Sequence, residues 1–203
     1  MAVAEPIAAS GPSWDPIVRI THWSVATAIV INGLIDEGGS TLHIWIGYGA
    51  LAMLVLRLLW GFIGPAEARF SSFPFSLSAA IDHLTNVFSG HHKTHRSHNP
   101  AGSVMVYALW GMLTLTAATG VILETEPFPV EHRQQAMAQV DSHEDGEENE
   151  LEEIVEETHE IAANLLLILA ALHVAGVAVE SRLSGRNLVR GMIRGQPTSR
   201  SQE

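Results

Sequence analysis

Four apolar runs decide what this chain can fold into: residues 17 to 35, 42 to 63, 101 to 123 and 159 to 179. Each is about 19 to 23 residues long, which at about 1.5 Å of rise per residue crosses a hydrocarbon core of about 30 Å. Helices that are apolar all round bury themselves in lipid more readily than in a small soluble core. The expected fold class is therefore all-α, an integral membrane four-helix bundle. Residues 1–16, with Pro6, Gly11, Pro12 and Pro16, read as an N-terminal segment without the basic start of a cleavable signal, so the first run is expected as a retained span. The bundle is expected over 17–180, with an acidic outer loop at 124–158 and a basic tail at 181–203.

Charge sets the expected orientation. Of the 11 basic residues only Arg133 falls at one end of the spans, and the other ten fall at the opposite end. Lys and Arg concentrate on the cytoplasmic side of membrane proteins, so both termini are expected to be cytoplasmic. The acids do the reverse. Asp36, Glu37 and 14 more between Glu124 and Glu160 leave the outer side at −15, while the inner side, with ten bases and six acids, stands at +4, together the −11 of the chain.

Three further segments have helical periodicity. Leu77, Ile81, Leu84 and Phe88 mark an amphipathic helix lying on the inner surface, and Arg182, Arg186, Arg190 and Arg194 recur opposite Leu188, Val189, Met192 and Ile193, a pattern suited to anionic headgroups. Leu151, Ile154, Val155 and Thr158 carry an apolar stripe straight into the last span, so that helix is expected to begin near Glu150 and to project outward.

The chain has no cysteine, which excludes disulfides, thiolate metal sites, iron–sulfur clusters and covalent haem attachment. It has 11 histidines, and four of them, His22, His43, His159 and His173, lie within spans, where an ionisable group is costly and marks function by default. His22 and His173 share the inner leaflet; His43 and His159 share the outer. His159 and His173 are 14 residues apart, within about 40° of whole turns at about 100° per residue, so they occupy one face of their helix, roughly 21 Å apart along its axis. That is too far for one metal ion and suits two stacked cofactors, each gripped by one histidine of the last span and one of a neighbour. Bis-histidine haem meets this description, and an apolar slot between helices accommodates its macrocycle. The plainer alternative is packing or hydrogen bonding within the bundle. Gly33, Gly47 and Gly176 either let a porphyrin approach or pack helices closely. Arg19 either pairs with propionates of an inner haem or anchors its span.

Several stretches together resemble the prokaryotic cytochrome b-561 family, which includes the cytochrome b subunits of nickel–iron hydrogenases. They are Trp14-Asp15-Pro16-Ile17-Val18-Arg19-Ile20-Thr21-His22-Trp23, then Leu42-His43-Ile44-Trp45-Ile46-Gly47-Tyr48, then Arg57-Leu58-Leu59-Trp60-Gly61-Phe62, then His98-Asn99-Pro100-Ala101-Gly102, and finally His159-Glu160 with His173. The resemblance spans roughly residues 14 to 195. It implies two b haems, the inner on His22 and His173 and the outer on His43 and His159, and electron transfer between a quinone pool and a soluble or periplasmic partner.

Within that frame the acidic outer side would repel superoxide, which some family members oxidise, and would attract a basic c-type cytochrome. The acidic stretch also fits a solvated loop without a partner. Rival readings are a haem-containing anchor subunit of a dehydrogenase or hydrogenase, a superoxide:quinone oxidoreductase, and, from another class, a divalent-cation transporter. The last rests on the tract His91-His92-Lys93-Thr94-His95-Arg96-Ser97-His98, although its two internal cations and the lack of acids at mid-span argue against it. His98 also sits where it could cap the third span beside Asn99 and Pro100. Nothing in the chain suggests side-chain catalysis, a phosphate loop or a nucleic-acid surface; if a reaction occurs it is quinone chemistry at the membrane interface.

Overall fold

Pro16 follows an aspartate, and the first helix starts there. In the computed structural model, which describes residues 15–36, 38–88, 100–125, 145–185 and 187–195, Asp15 Oδ1 accepts from the backbone N–H of Ile17 at 2.9 Å and of Val18 at 3.1 Å. A capping carboxylate followed by proline at the first helical position is a strong helix start. Among the described residues six α-helices follow in order: α1 Pro16–Val30, α2 Thr41–Ile63, α3 Leu77–Phe88, α4 Pro100–Thr125, α5 Asp145–Leu183 and α6 Leu188–Arg194. Short 3₁₀ turns at Ala66–Ala68 and Phe70–Ser72 lie between α2 and α3, and one π-helical turn, Ile31–Ile35, extends α1. The described residues form no strand.

Among the described residues four segments are long and apolar enough to cross a membrane: Pro16–Ile35, Thr41–Ile63, Pro100–Glu124 and Glu150–Leu183. The first three match the expected runs within a residue or two. The fourth is longer at 34 residues, about 51 Å against a core of about 30 Å, because the stripe through Leu151 and Ile154 keeps α5 helical well before its apolar part begins. The protein is an all-α membrane protein.

The described residues divide into two compact units, one lying within 1–24, 55–107 and 171–203 and the other within 25–54 and 108–170. In the first, Asp15 Oδ1 also accepts from Trp60 Nε1 at 3.0 Å, so one carboxylate both caps α1 and fastens the end of α2. Buried Arg57 donates to the Ala68 carbonyl at 3.2 Å, and Arg69 Nε donates to that of Gly64 at 2.7 Å, which holds the turns after α2 in place. A side chain at Gly61 would collide with the Phe70 ring. Phe70 and Phe73 pack on Tyr107 at ring separations of 6.4 and 6.0 Å. On α3, Ala80 and His83 are buried while Leu77 and Ile81 face outward, 57% and 53% exposed, the orientation expected of a helix resting on a bilayer.

In the second unit the interior is built from small and branched residues, Ala28, Ala50, Leu54, Leu113, Ala162 and Leu166. Ser40 caps α2: its Oγ accepts from the His43 N–H at 3.0 Å and donates to Asp36 Oδ2 at 2.6 Å. Gly39, at φ +81°, makes the turn between α1 and α2 in a conformation that glycine adopts without steric cost. The first 14 residues, Glu37, the tract at 91–98 with Asn99, residues 126–144 with Arg133, Arg186 and Arg200 lie outside the described residues, as do the side chains of Leu84 and Phe88.

Candidate functional site

His22 sits on the second turn of α1, immediately after Thr21, whose hydroxyl bonds back to the Ile17 carbonyl at 2.9 Å and is buried. The Trp23 ring meets the His22 imidazole edge-on at 5.2 Å. Facing it from α5 is His173, with ring centroids 6.3 Å apart and planes at 55°. His22 Nδ1 is buried and has no hydrogen-bond partner among the described residues.

The second pair joins α2 and α5. The His43 and His159 rings lie 6.2 Å apart with planes at 62°. Several side chains surround them. Asn32, on the π-helical turn, donates to the His43 carbonyl at 2.9 Å. Asp36 Oδ2 stands 3.8 Å from His43 Nδ1, which is otherwise without a hydrogen-bond partner among the described residues. Thr119 Oγ1 of α4 lies 3.0 Å from His159 Nδ1. Next to it, a Cβ on Gly120 would stand 3.1 Å from His159 Cε1, so the missing side chain leaves the imidazole its space.

The four histidines singled out in the sequence therefore meet as two pairs. Two imidazoles on opposite sides of one metal atom, at about 2 Å per metal–nitrogen bond, have ring centres roughly 6 Å apart once about 1 Å of ring radius is added on each side. Both pairs have that spacing, and in each a buried ring nitrogen, His22 Nδ1 or His43 Nδ1, has no hydrogen-bond partner among the described residues. Among the described residues no three His, Asp or Glu side chains converge as a metal cage would require. Two nitrogen donors suffice for a metal that arrives with its own equatorial ligands, as haem iron does, so the residues fit that group.

The other expected positions divide. Arg19 donates from Nε to the Met192 carbonyl at 2.9 Å and from Nη2 to that of Ile193, holding the last turn of α6. It also lines, with Pro16, Ile20, Trp23 and Ser24, an open hollow of about 430 Å³. Gly33 packs closely: a Cβ there would stand 2.8 Å from Leu167 Cδ2. A Cβ at Gly47 would reach only Asn32 Nδ2 at 4.0 Å, and at Gly176 it would meet open space. Sequence reasoning did not single out Thr119, Gly120 or Asn32. The run Ala117-Ala118-Thr119-Gly120, four small residues in a span, was the available signal of close approach.

Apolar spanning helices with imidazoles paired between them define a class of membrane protein suited to holding a planar metal group. The family model described as prokaryotic cytochrome b561 matches residues 13–195, and the chain belongs to that family. It is thus a membrane cytochrome of b type, acting in electron transfer. Neither a curated protein nor a solved structure matches it.

Proposed function

We propose that the protein carries two b haems, one between His22 and His173 and one between His43 and His159, and relays electrons across the bacterial inner membrane. The relay runs between the quinone pool and a redox partner on the acidic side. The observation that carries this reading is the matched ring spacing of the two pairs, 6.3 and 6.2 Å. Bound haem supplies a one-electron iron couple, and a bis-histidine site leaves no iron position for oxygen or substrate. The chain's own part is to hold four imidazoles at fixed spacing on three helices. Arg19 keeps three of its five donors after binding the two α6 carbonyls, and these are offered to a propionate of the His22 haem.

Charge asymmetry supports an orientation with both termini, α3 and α6 cytoplasmic. It also supports the partner. On α5, Leu151 and Ile154 are 64% and 51% exposed among Glu150, Glu152, Glu153, Glu156 and Glu157, one to two turns before His159. An apolar patch ringed by acids favours a basic c-type cytochrome, which lysines would steer to it and Leu151 and Ile154 would seat. Quinone exchanges at the membrane interface.

The test is a dithionite-reduced minus oxidised spectrum of the detergent-purified chain, with haem quantified as the pyridine haemochrome. About two b haems per polypeptide is the expected result, and one or none would overturn the reading.

A further inference from the structure

The surroundings of His159 contain a second, finer arrangement. Thr119 Oγ1 lies within reach of three groups: the Leu115 carbonyl at 2.9 Å, the Thr116 carbonyl at 3.0 Å and His159 Nδ1 at 3.0 Å. A hydroxyl has one hydrogen to give and two lone pairs to receive with. Both carbonyls can only accept; with the hydroxyl hydrogen directed to them, the oxygen acts as acceptor toward the imidazole. Nδ1 then bears the ring proton, and Nε2 is left with its lone pair. Gly120 completes the arrangement, because its bare Cα lets the ring lie within 3.1 Å of where a Cβ would stand.

We propose that Thr119 is a positioning residue that fixes the tautomer and ring orientation of His159, so that Nε2 is the nitrogen presented to the outer haem iron. The inference rests on the reading of His159 as a haem ligand. An imidazole whose Nδ1–H is hydrogen-bonded is a stronger donor through Nε2, since the bond draws electron density toward the ligating nitrogen. Stronger donation favours ferric iron and lowers the potential of that haem. The His22–His173 pair has no such partner on His22 Nδ1 among the described residues, so the effect is confined to one of the two haems.

The experiment is a redox titration of the purified full chain, wild type beside Thr119→Val, Thr119→Ser and His159→Ala, with ferric low-spin electron paramagnetic resonance spectra of each. His159→Ala identifies the outer haem as the one lost. Thr119→Val keeps the side-chain shape and removes the acceptor. The expected result is two haems retained, an upward shift in the midpoint potential of the outer haem alone, a changed g-tensor for that haem alone, and return of both toward wild type in Thr119→Ser. Unmoved potentials and spectra in Thr119→Val, or equal shifts in both haems, would overturn the inference while leaving the ligand reading intact. Retention of both haems in His159→Ala would instead overturn the ligand reading. If Thr119→Val does not fold, Gly120→Ala is read in its place: crowding Cε1, it should disturb the same haem and spare the other, and an unaltered outer spectrum there overturns the inference.

Discussion

The two histidine pairs have nearly the same spacing and different surroundings. His22 and His173 meet with Trp23 edge-on to the first ring, and His22 Nδ1 has no partner among the described residues. His43 and His159 meet among polar groups: Asn32 on a carbonyl, Asp36 beside one ring, Thr119 against the other. Spacing is set by how closely the helices that carry the rings pack, and both pairs reach the same value. Ring orientation is a separate matter, left to packing in one pair and assisted by hydrogen bonding in the other. Under the proposed two-haem reading, equal ligand sets in one chain would therefore hold cofactors with different electronic properties.

The comparison can be broken most decisively by removing ligands. His173→Ala is expected to lower haem content from about two to about one per chain and to spare the His43–His159 haem, and His43→Ala to do the reverse; pyridine haemochrome counts and difference spectra check both. Loss of both haems from either single change would show that the pairs are not independent. Next in size is Gly33→Ala. Its new methyl meets Leu167, and overpacking of this kind costs about 1–3 kcal/mol. It should lower the thermal midpoint in detergent and release the His43–His159 haem first, followed by the Soret band.

Asn32→Ala removes one hydrogen bond to the His43 backbone, a loss of about 1 kcal/mol, and should broaden the spectrum of the same haem while leaving its neighbour sharp. The smallest effect concerns the acidic side. Leu151→Ser with Ile154→Ser should slow reduction or oxidation by a basic cytochrome c about several-fold at low salt, without changing haem content. Rates measured by stopped flow should also fall with ionic strength, and rates indifferent to salt would count against docking there.

Much of the site was legible in the residues because its elements carry strong periodic or local signals. A charge-free run of about 20 residues has few alternatives to a membrane span, and a histidine inside one is conspicuous. Depth alone paired His22 with His173 and His43 with His159, since residues at equal distance from the same membrane face can meet wherever the helices adjoin. Thr119 was hidden for the opposite reason. A threonine in an apolar helix ordinarily bonds back to a carbonyl one turn earlier, as Thr114 and Thr116 do to Trp110 and Met112, and only the small residues beside Thr119 set it apart from those two. Arg19 was placed near the inner pair on sequence grounds, and its two bonds to α6 carbonyls came from a segment more than 170 residues away.

The sequence by itself determined the membrane class, the four spans, the charge difference between the two sides and the four imidazoles, because each depends on composition along one segment. Only the tertiary structure decided which face of α4 turns toward His159, that Gly33 packs against Leu167, and that Asp15 holds Trp60 as well as its own helix. Those depend on the rotation of each helix about its axis, which is settled when side chains of different segments interdigitate and is not encoded in any one of them.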